Sequence, residues 1–185
     1  IIPGEKNARW IALITALVDL CIAIAIVLQF DSAQSGFQMV EQKEWIPTLN
    51  IHYIVGIDGI SVLFLPLTIL LFIGVILASW NRINSMVRLY FALLQILESL
   101  TLGIFCSLDT ILFFFFWELT LAPLYFLISL WGVGPNRRYA AVKYTLLMLV
   151  GGIPLLFGIL LLGFNVADFS THAVPAGLSF DYREL

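Results

Sequence analysis

Glu118 is the lone charge in the apolar run ILFFFFWELTLAPLYFLISLW, which extends from Ile111 to Trp131. A carboxylate near the middle of a membrane-length run costs about 2.5 kcal/mol or more to place in lipid. Such a group normally faces protein or a hydrated cavity and marks an ion or proton path. Three further ionisable groups fall inside apolar runs: Asp19, Glu98 and Lys143. Glu98 lies as far before the turn at 107–109 as Glu118 lies beyond it, so both sit roughly 13–14 Å below the same surface. Two carboxylates at one depth cannot both ionise cheaply without water or a cation close by, because like charge and desolvation each raise a carboxyl pKa. A carboxyl that titrates near working pH is what a reversible proton carrier needs. The spacing therefore predicts that Glu98 and Glu118 come within water-mediated reach and carry a proton. The plainer alternative is a protonated or hydrogen-bonded Glu that ties two helices together. It weighs more for Glu98, whose neighbours Ser99 and Thr101 are polar.

Lys143 follows Arg138 by about a turn and a half. Its ammonium can snorkel to the interface. Alternatively it is a cation that lowers the pKa of a nearby carboxylate, so that moving it tips a proton out. In the second role Tyr139, Lys143, Leu146 and Val150 share a face, and that face must meet the Glu118 helix. Asp19 reads as a packing or lipid-edge residue. Pro123 removes a backbone donor and leaves the carbonyl of Leu119 without its usual partner, a kink that a membrane tolerates beside a hydrated cavity. Gly151-Gly152 before Pro154 reads as close helix packing.

These groups need helices to position them. The chain is 61% hydrophobic and 11% charged, against roughly 45–50% and 25% for a soluble domain. The expected class is all-α integral membrane, one transmembrane domain over 1–185. Five spanning helices are predicted at 8–30, 60–80, 88–108, 110–131 and 139–164. The connection 31–59 is long and polar and holds Pro47 and a turn-like Gly56-Ile57-Asp58-Gly59. The next three connections are short, which forces antiparallel neighbours. After Asn165 the chain returns to water with Asp168, Pro175 and Gly177. Lys6, Arg9, Arg82, Arg88, Arg137, Arg138 and Lys143 fall at one side, and Lys43 and Arg183 at the other. Basic residues accumulate on the cytoplasmic side, so the first residues should face the cytoplasm or stroma. Both ends of the sequence read as cut from something longer.

Other chemistries find little support. A net charge of −3 without a basic run argues against a nucleic-acid partner. Cys21 and Cys106 read as packing residues, and His52 and His172 lack ligand spacing. No phosphate loop, dinucleotide fingerprint or hydrolytic triad is present, which leaves proton movement.

The run FFFFWELTLAPLYFLISLWG followed by RRYAAVKYTLL resembles the M-type antiporter-like subunit (NADH dehydrogenase subunit 4) family of complex I-like enzymes. VGIDGISVLFLPLTILL and GIFCSLDTILFF fit the same family in the same order, so the resemblance spans roughly 45–163. It implies a membrane-arm subunit with about fourteen helices, built around two inverted five-helix repeats, of which this chain holds the second to sixth helices. Glu118 matches the family's essential helix-five glutamate, Lys143 a lysine of the next helix, and Asp58-Gly59 its DGIS turn. The family's broken helices and main channel lysines would lie beyond Leu185. The stretch VGPNRRYAAVKYTLLMLVGG looks most like the cyanobacterial and plastid branch, which implies a thylakoid membrane, with a bacterial inner membrane as the alternative. The resemblance also implies no cofactor in this chain. Quinone, iron–sulfur clusters and the electron donor belong to partner subunits of the membrane and redox arms. The competing readings are a subunit of a multi-subunit cation/proton antiporter without redox partners, and a membrane scaffold whose buried charges specify packing.

Overall fold

The computed structural model describes residues 5–34, 36–46, 51–169 and 180–183; the features expected at Pro47, His172, Pro175, Gly177 and Glu184 lie outside them. In chain order the elements are α1 (Glu5–Gln29), β1 (Gln38–Ile46), β2 (Ile51–Ile57), α2 (Ser61–Ser79), α3 (Val87–Cys106), α4 (Thr110–Leu119), α5 (Leu121–Trp131) and α6 (Arg137–Phe169). Five spans are long and apolar enough to cross a membrane: α1, α2, α3, α4 together with α5, and α6. They match the five apolar runs. Helix α6 continues past residue 164 because the end of an apolar run marks departure from lipid, not the end of a helix.

Small residues let α1 pack closely. Ala12 and Ala16 lie against Ile76 of α2 and Val87, Phe91 and Leu94 of α3. Ala23 meets Ile57 and the α2 residues Val62, Leu65 and Ile69. Because α2 returns antiparallel, α1 and α3 run parallel. Helix α4 packs on α3, where a Cβ on Gly103 would fall 2.9 Å from the ring of Phe116. Helix α6 closes the bundle against α4 and α5.

The polar connection 31–59 holds a feature not anticipated from sequence, an antiparallel hairpin of β1 and β2. Its charged residues disguise it: Glu41, Lys43 and Glu44 sit on β1, which is exposed over most of its length. Strand β2 buries Ile51, Ile54 and Ile57 against the bundle. The register shifts between Gln38 and Glu41, where Met39 takes a positive φ of 51°, as a bulge allows. Gly56 is required by close approach, since a Cβ there would lie 2.8 Å from Leu108 and 3.0 Å from Val40.

Backbone bonds strap this end together. The Leu108 N–H donates to Ile54 O (2.9 Å), Thr110 N–H to Phe180 O (2.9 Å) and Tyr182 N–H to Leu108 O (2.8 Å). At their centre Asp109 is buried and caps α4, accepting from the N–H groups of Ile111 (2.9 Å), Leu112 (3.0 Å) and His52 (3.2 Å). Burial pushes its carboxyl above the ordinary value, against the pull of those three donors. The Asp58-Gly59 turn is a reciprocal cap. Asp58 accepts from Ser61 N–H at 2.7 Å, while the Ser61 hydroxyl accepts from Asp58 N–H at 2.9 Å.

The opposite end carries the basic residues. Arg9 donates to Ile83 O (2.7 Å) and Asn84 Oδ1 (3.3 Å), and the Trp131 indole donates to Ser85 O (2.9 Å). The start of α1, the α2–α3 connection and the end of α5 therefore meet there, which gathers Arg9, Arg82, Arg88, Arg137 and Arg138 at one pole.

Candidate functional site

Glu118 lies at the end of α4, where the fourth span is broken. The Thr120 N–H is shared between Phe116 O (3.3 Å) and Trp117 O (3.2 Å), and its hydroxyl donates to Trp117 O at 2.7 Å. Pro123 causes the break, because its ring clashes with the carbonyl of Leu119 and brings no N–H to it. The helix is interrupted for one residue, Thr120, next but one to the acid.

The Glu118 carboxylate is seated against α6. A Cβ on Gly152 would overlap Oε1 of Glu118, crowd its Cδ at 3.2 Å and touch Phe114 at 3.7 Å. Only a residue without a side chain leaves this room. Oε1 is buried without a hydrogen-bond partner among the described residues. The bundle-facing stripe of α6 is Ala141, Thr145, Met148 and Gly152, at helical spacings of four, three and four, with Ile159 two turns further on; Ala141, Gly152 and Ile159 are buried.

Glu98 is 1% exposed, and both its carboxylate oxygens lack a hydrogen-bond partner among the described residues. Glu98 and Glu118 are turned to different neighbours: Glu98 shares the α3 stripe that packs on α1, while Glu118 is seated against Gly152 of α6. The tight turn at 107–109 equalises their depth but does not set the rotation of α3. Glu98 belongs to the stripe Val87, Phe91, Leu94, Glu98 that packs on α1. The α4-facing position is Gly103, about 140° further round the helix.

Of the two readings of Lys143, the geometry matches the outward one. Tyr139, Val142, Lys143, Leu146, Leu147 and Val150 do share a face and line a shallow groove of about 410 Å³. That face is exposed, and it lies about 180° from Gly152. The lysine therefore points away from Glu118.

The family described as "NADH:quinone oxidoreductase/Mrp antiporter, TM" matches residues 107–174, which include Glu118, Lys143 and Gly152. The chain is 38% identical over 185 residues to NAD(P)H-quinone oxidoreductase chain 4 1 of Synechococcus elongatus, covering 98% of this chain and 34% of that one. The chain belongs to the M-type (chain 4) family of antiporter-like membrane subunits. NADH-quinone oxidoreductase subunit M of Rhodobacter capsulatus is 37% identical over 153 residues, 83% of this chain and 29% of its own. This M-type chain thus spans about a third of the curated relatives it matches. Its fold aligns with a chain of respiratory complex I from Thermus thermophilus with a TM-score of 0.75 at 24% identity, covering 95% of this chain and 34% of that one.

Two residues of the site were undervalued in sequence. Gly152 read as general packing, whereas it makes the seat of one carboxylate. Asp19 read as a packing or lipid-edge group. Its position in Ala12, Ala16, Asp19, Ala23 is a usable signal, since three buried alanines on one helical stripe place the fourth member on the same inward face.

Proposed function

We propose that this chain is part of a proton-translocating membrane subunit of a complex I-like quinone oxidoreductase, in which Glu118 carries the proton. The observation behind the reading is a carboxylate at a proline-induced helix break, buried at Oε1 and seated on the bare backbone of Gly152. Such a group is sensitive to small shifts of α6, which is how a conformational or electrostatic pulse from partner subunits becomes proton movement. Lys143 acts in this scheme toward chains or segments that cover the exposed face of α6, not toward Glu118 directly. Glu98 takes part in proton transfer at a separate place. Electron donor, iron–sulfur clusters and quinone belong to partner subunits of the membrane and redox arms, and this chain holds no redox group. The relation to cyanobacterial chain 4 proteins supports a thylakoid membrane, with the basic pole facing the stroma or cytoplasm.

The test is Glu118→Gln in the complete protein, reconstituted with its complex in vesicles containing a pH-sensitive dye. The variant keeps size and hydrogen bonding but deletes the titratable proton. Expected is an assembled complex with electron transfer but impaired proton uptake. Coupling equal to that of the wild type would refute the carrier role. Persistent proton exchange after removal of every redox partner would favour the antiporter reading.

A further inference from the structure

Asp19 and Glu98 occupy equivalent places on two parallel helices. Ala12 and Ala16 of α1 share one apolar cluster with Phe91 and Leu94 of α3, and Ala23 belongs to a second cluster against which Leu102 and Phe105 pack. Between these two clusters the next member of the α1 stripe is Asp19, and the next member of the α3 stripe is Glu98. The two acids therefore share one depth and one seam, flanked by apolar contacts above and below. Glu98 is 1% exposed with both oxygens unpartnered among the described residues, and Asp19, half-buried, is the charge that acts on it.

Other titratable groups around the seam are sparse. Helix α2, packed against both, has none between Ser61 and Ser79. Helix α4 offers Glu118, which is turned to α6, α5 offers Tyr125, and β2 offers His52 and Tyr53 at the far pole. On α3 itself are Arg88, Tyr90 and Cys106, and on α1 Arg9 and Cys21. No cation of the described residues neutralises the acids. Two carboxylates at this separation from water need a proton or another cation between them.

A mostly apolar groove of about 230 Å³ runs between α1 and α3, lined by Ala8, Ile11, Ala12, Phe91 and Ala92, with Arg88 toward the basic pole. Gln95, one turn before Glu98, ends it with an Oε1 that is buried and unpartnered among the described residues.

We propose that Asp19 and Glu98 form a second proton-binding site, a carboxylate pair that shares one proton and exchanges it with the basic pole through the α1–α3 groove. The site stands independently of the role given to Glu118.

The pair can be probed in the full-length protein within its complex with dicyclohexylcarbodiimide, which modifies protonated carboxyls in apolar surroundings. Labelled peptides are quantified by mass spectrometry as a function of pH. One of Asp19 and Glu98, but not both, should be labelled per molecule. Asp19→Asn should move the pH midpoint of Glu98 labelling by about one unit or more, as coupled sites require. The same behaviour should persist in a Glu118→Gln background, so failure of the Glu118 reading leaves it intact. Independent labelling of both acids, or a midpoint untouched by Asp19→Asn, would overturn the pair. Protection by sodium at fixed pH would overturn the proton as its ligand. Should Asp19→Asn fail to assemble, mutual exclusion in the wild type decides the question. Ala92→Cys should react with a membrane-impermeant charged thiol reagent added from the Arg88 side, and an inert thiol would remove the groove as the route.

Discussion

Gly152→Ala is the sharpest perturbation available, because it moves an acid without altering one. The added methyl would overlap Oε1 of Glu118 and stand 3.2 Å from its Cδ. A comfortable carbon contact is about 3.5 Å or more, so the carboxylate has to rotate away by roughly an ångström. Crowding of this kind costs about 1–3 kcal/mol, while replacing Gly by Ala inside a helix returns about 1 kcal/mol. The net effect on stability is then small, about 2 kcal/mol at most, and the subunit should still assemble. Function is affected differently. Misplacing a reacting group by about 1 Å costs on the order of 10²-fold, equivalent to roughly 2.7 kcal/mol in a barrier. The assay compares proton uptake with electron transfer in reconstituted vesicles. Gly151→Ala is the matched control, since a Cβ there meets nothing within 4 Å. If Gly152→Ala pumps as well as Gly151→Ala, the glycine is not the seat of the acid and the reasoning fails.

Further outcomes are expected elsewhere. Lys143→Ala should reduce pumping and Lys143→Arg should retain part of it, with thermal stability of the detergent-solubilised protein unchanged by either because the side chain is exposed; normal pumping by Lys143→Ala would leave the lysine without a mechanism. Asp109→Ala removes the acceptor of three backbone N–H groups and should cost about 2 kcal/mol, read from the thermal midpoint; an unchanged midpoint would show the cap to be dispensable. Burial works to raise the Asp58 carboxyl, but the hydrogen bonds of the Ser61 hydroxyl and backbone N–H outweigh it and hold the group below its ordinary value. Its contribution is therefore complete above the unfolded pKa of about 3.9 and is lost as pH falls through the lower folded value. Asp58→Asn should flatten that part of the stability–pH curve, and an identical curve would refute the assignment.

The spans, their antiparallel order and the basic pole were legible because a bilayer imposes a length and a polarity that composition records directly. The helix break was legible too, since Pro123 acts through covalent geometry. Rotation about a helix axis was not. Depth follows from counting residues to a turn, and that count places Glu98 and Glu118 level. Which way each points depends on the neighbours of the whole stripe, and here Gly103 took the α4 contact while Glu98 went with Phe91 and Leu94 to α1. Lys143 was open for the same reason: its grouping with Tyr139 and Leu146 was legible, but not whether that group turns inward or outward. Hairpin β1–β2 stayed hidden because its first strand is charged and exposed, so no alternation marks it.

The two poles of the bundle are fastened by different means, and this governs how it can move. At the acidic pole, main-chain bonds join the hairpin, the 107–109 turn and residues 180–182, and a glycine-tight contact at Gly56 leaves no slack. At the basic pole, α1, the α2–α3 connection and α5 are tied by side chains, chiefly Arg9 and Trp131. The main-chain straps therefore make that pole the stiffer end of the bundle, and a load on the helices meets less resistance where only side chains hold them.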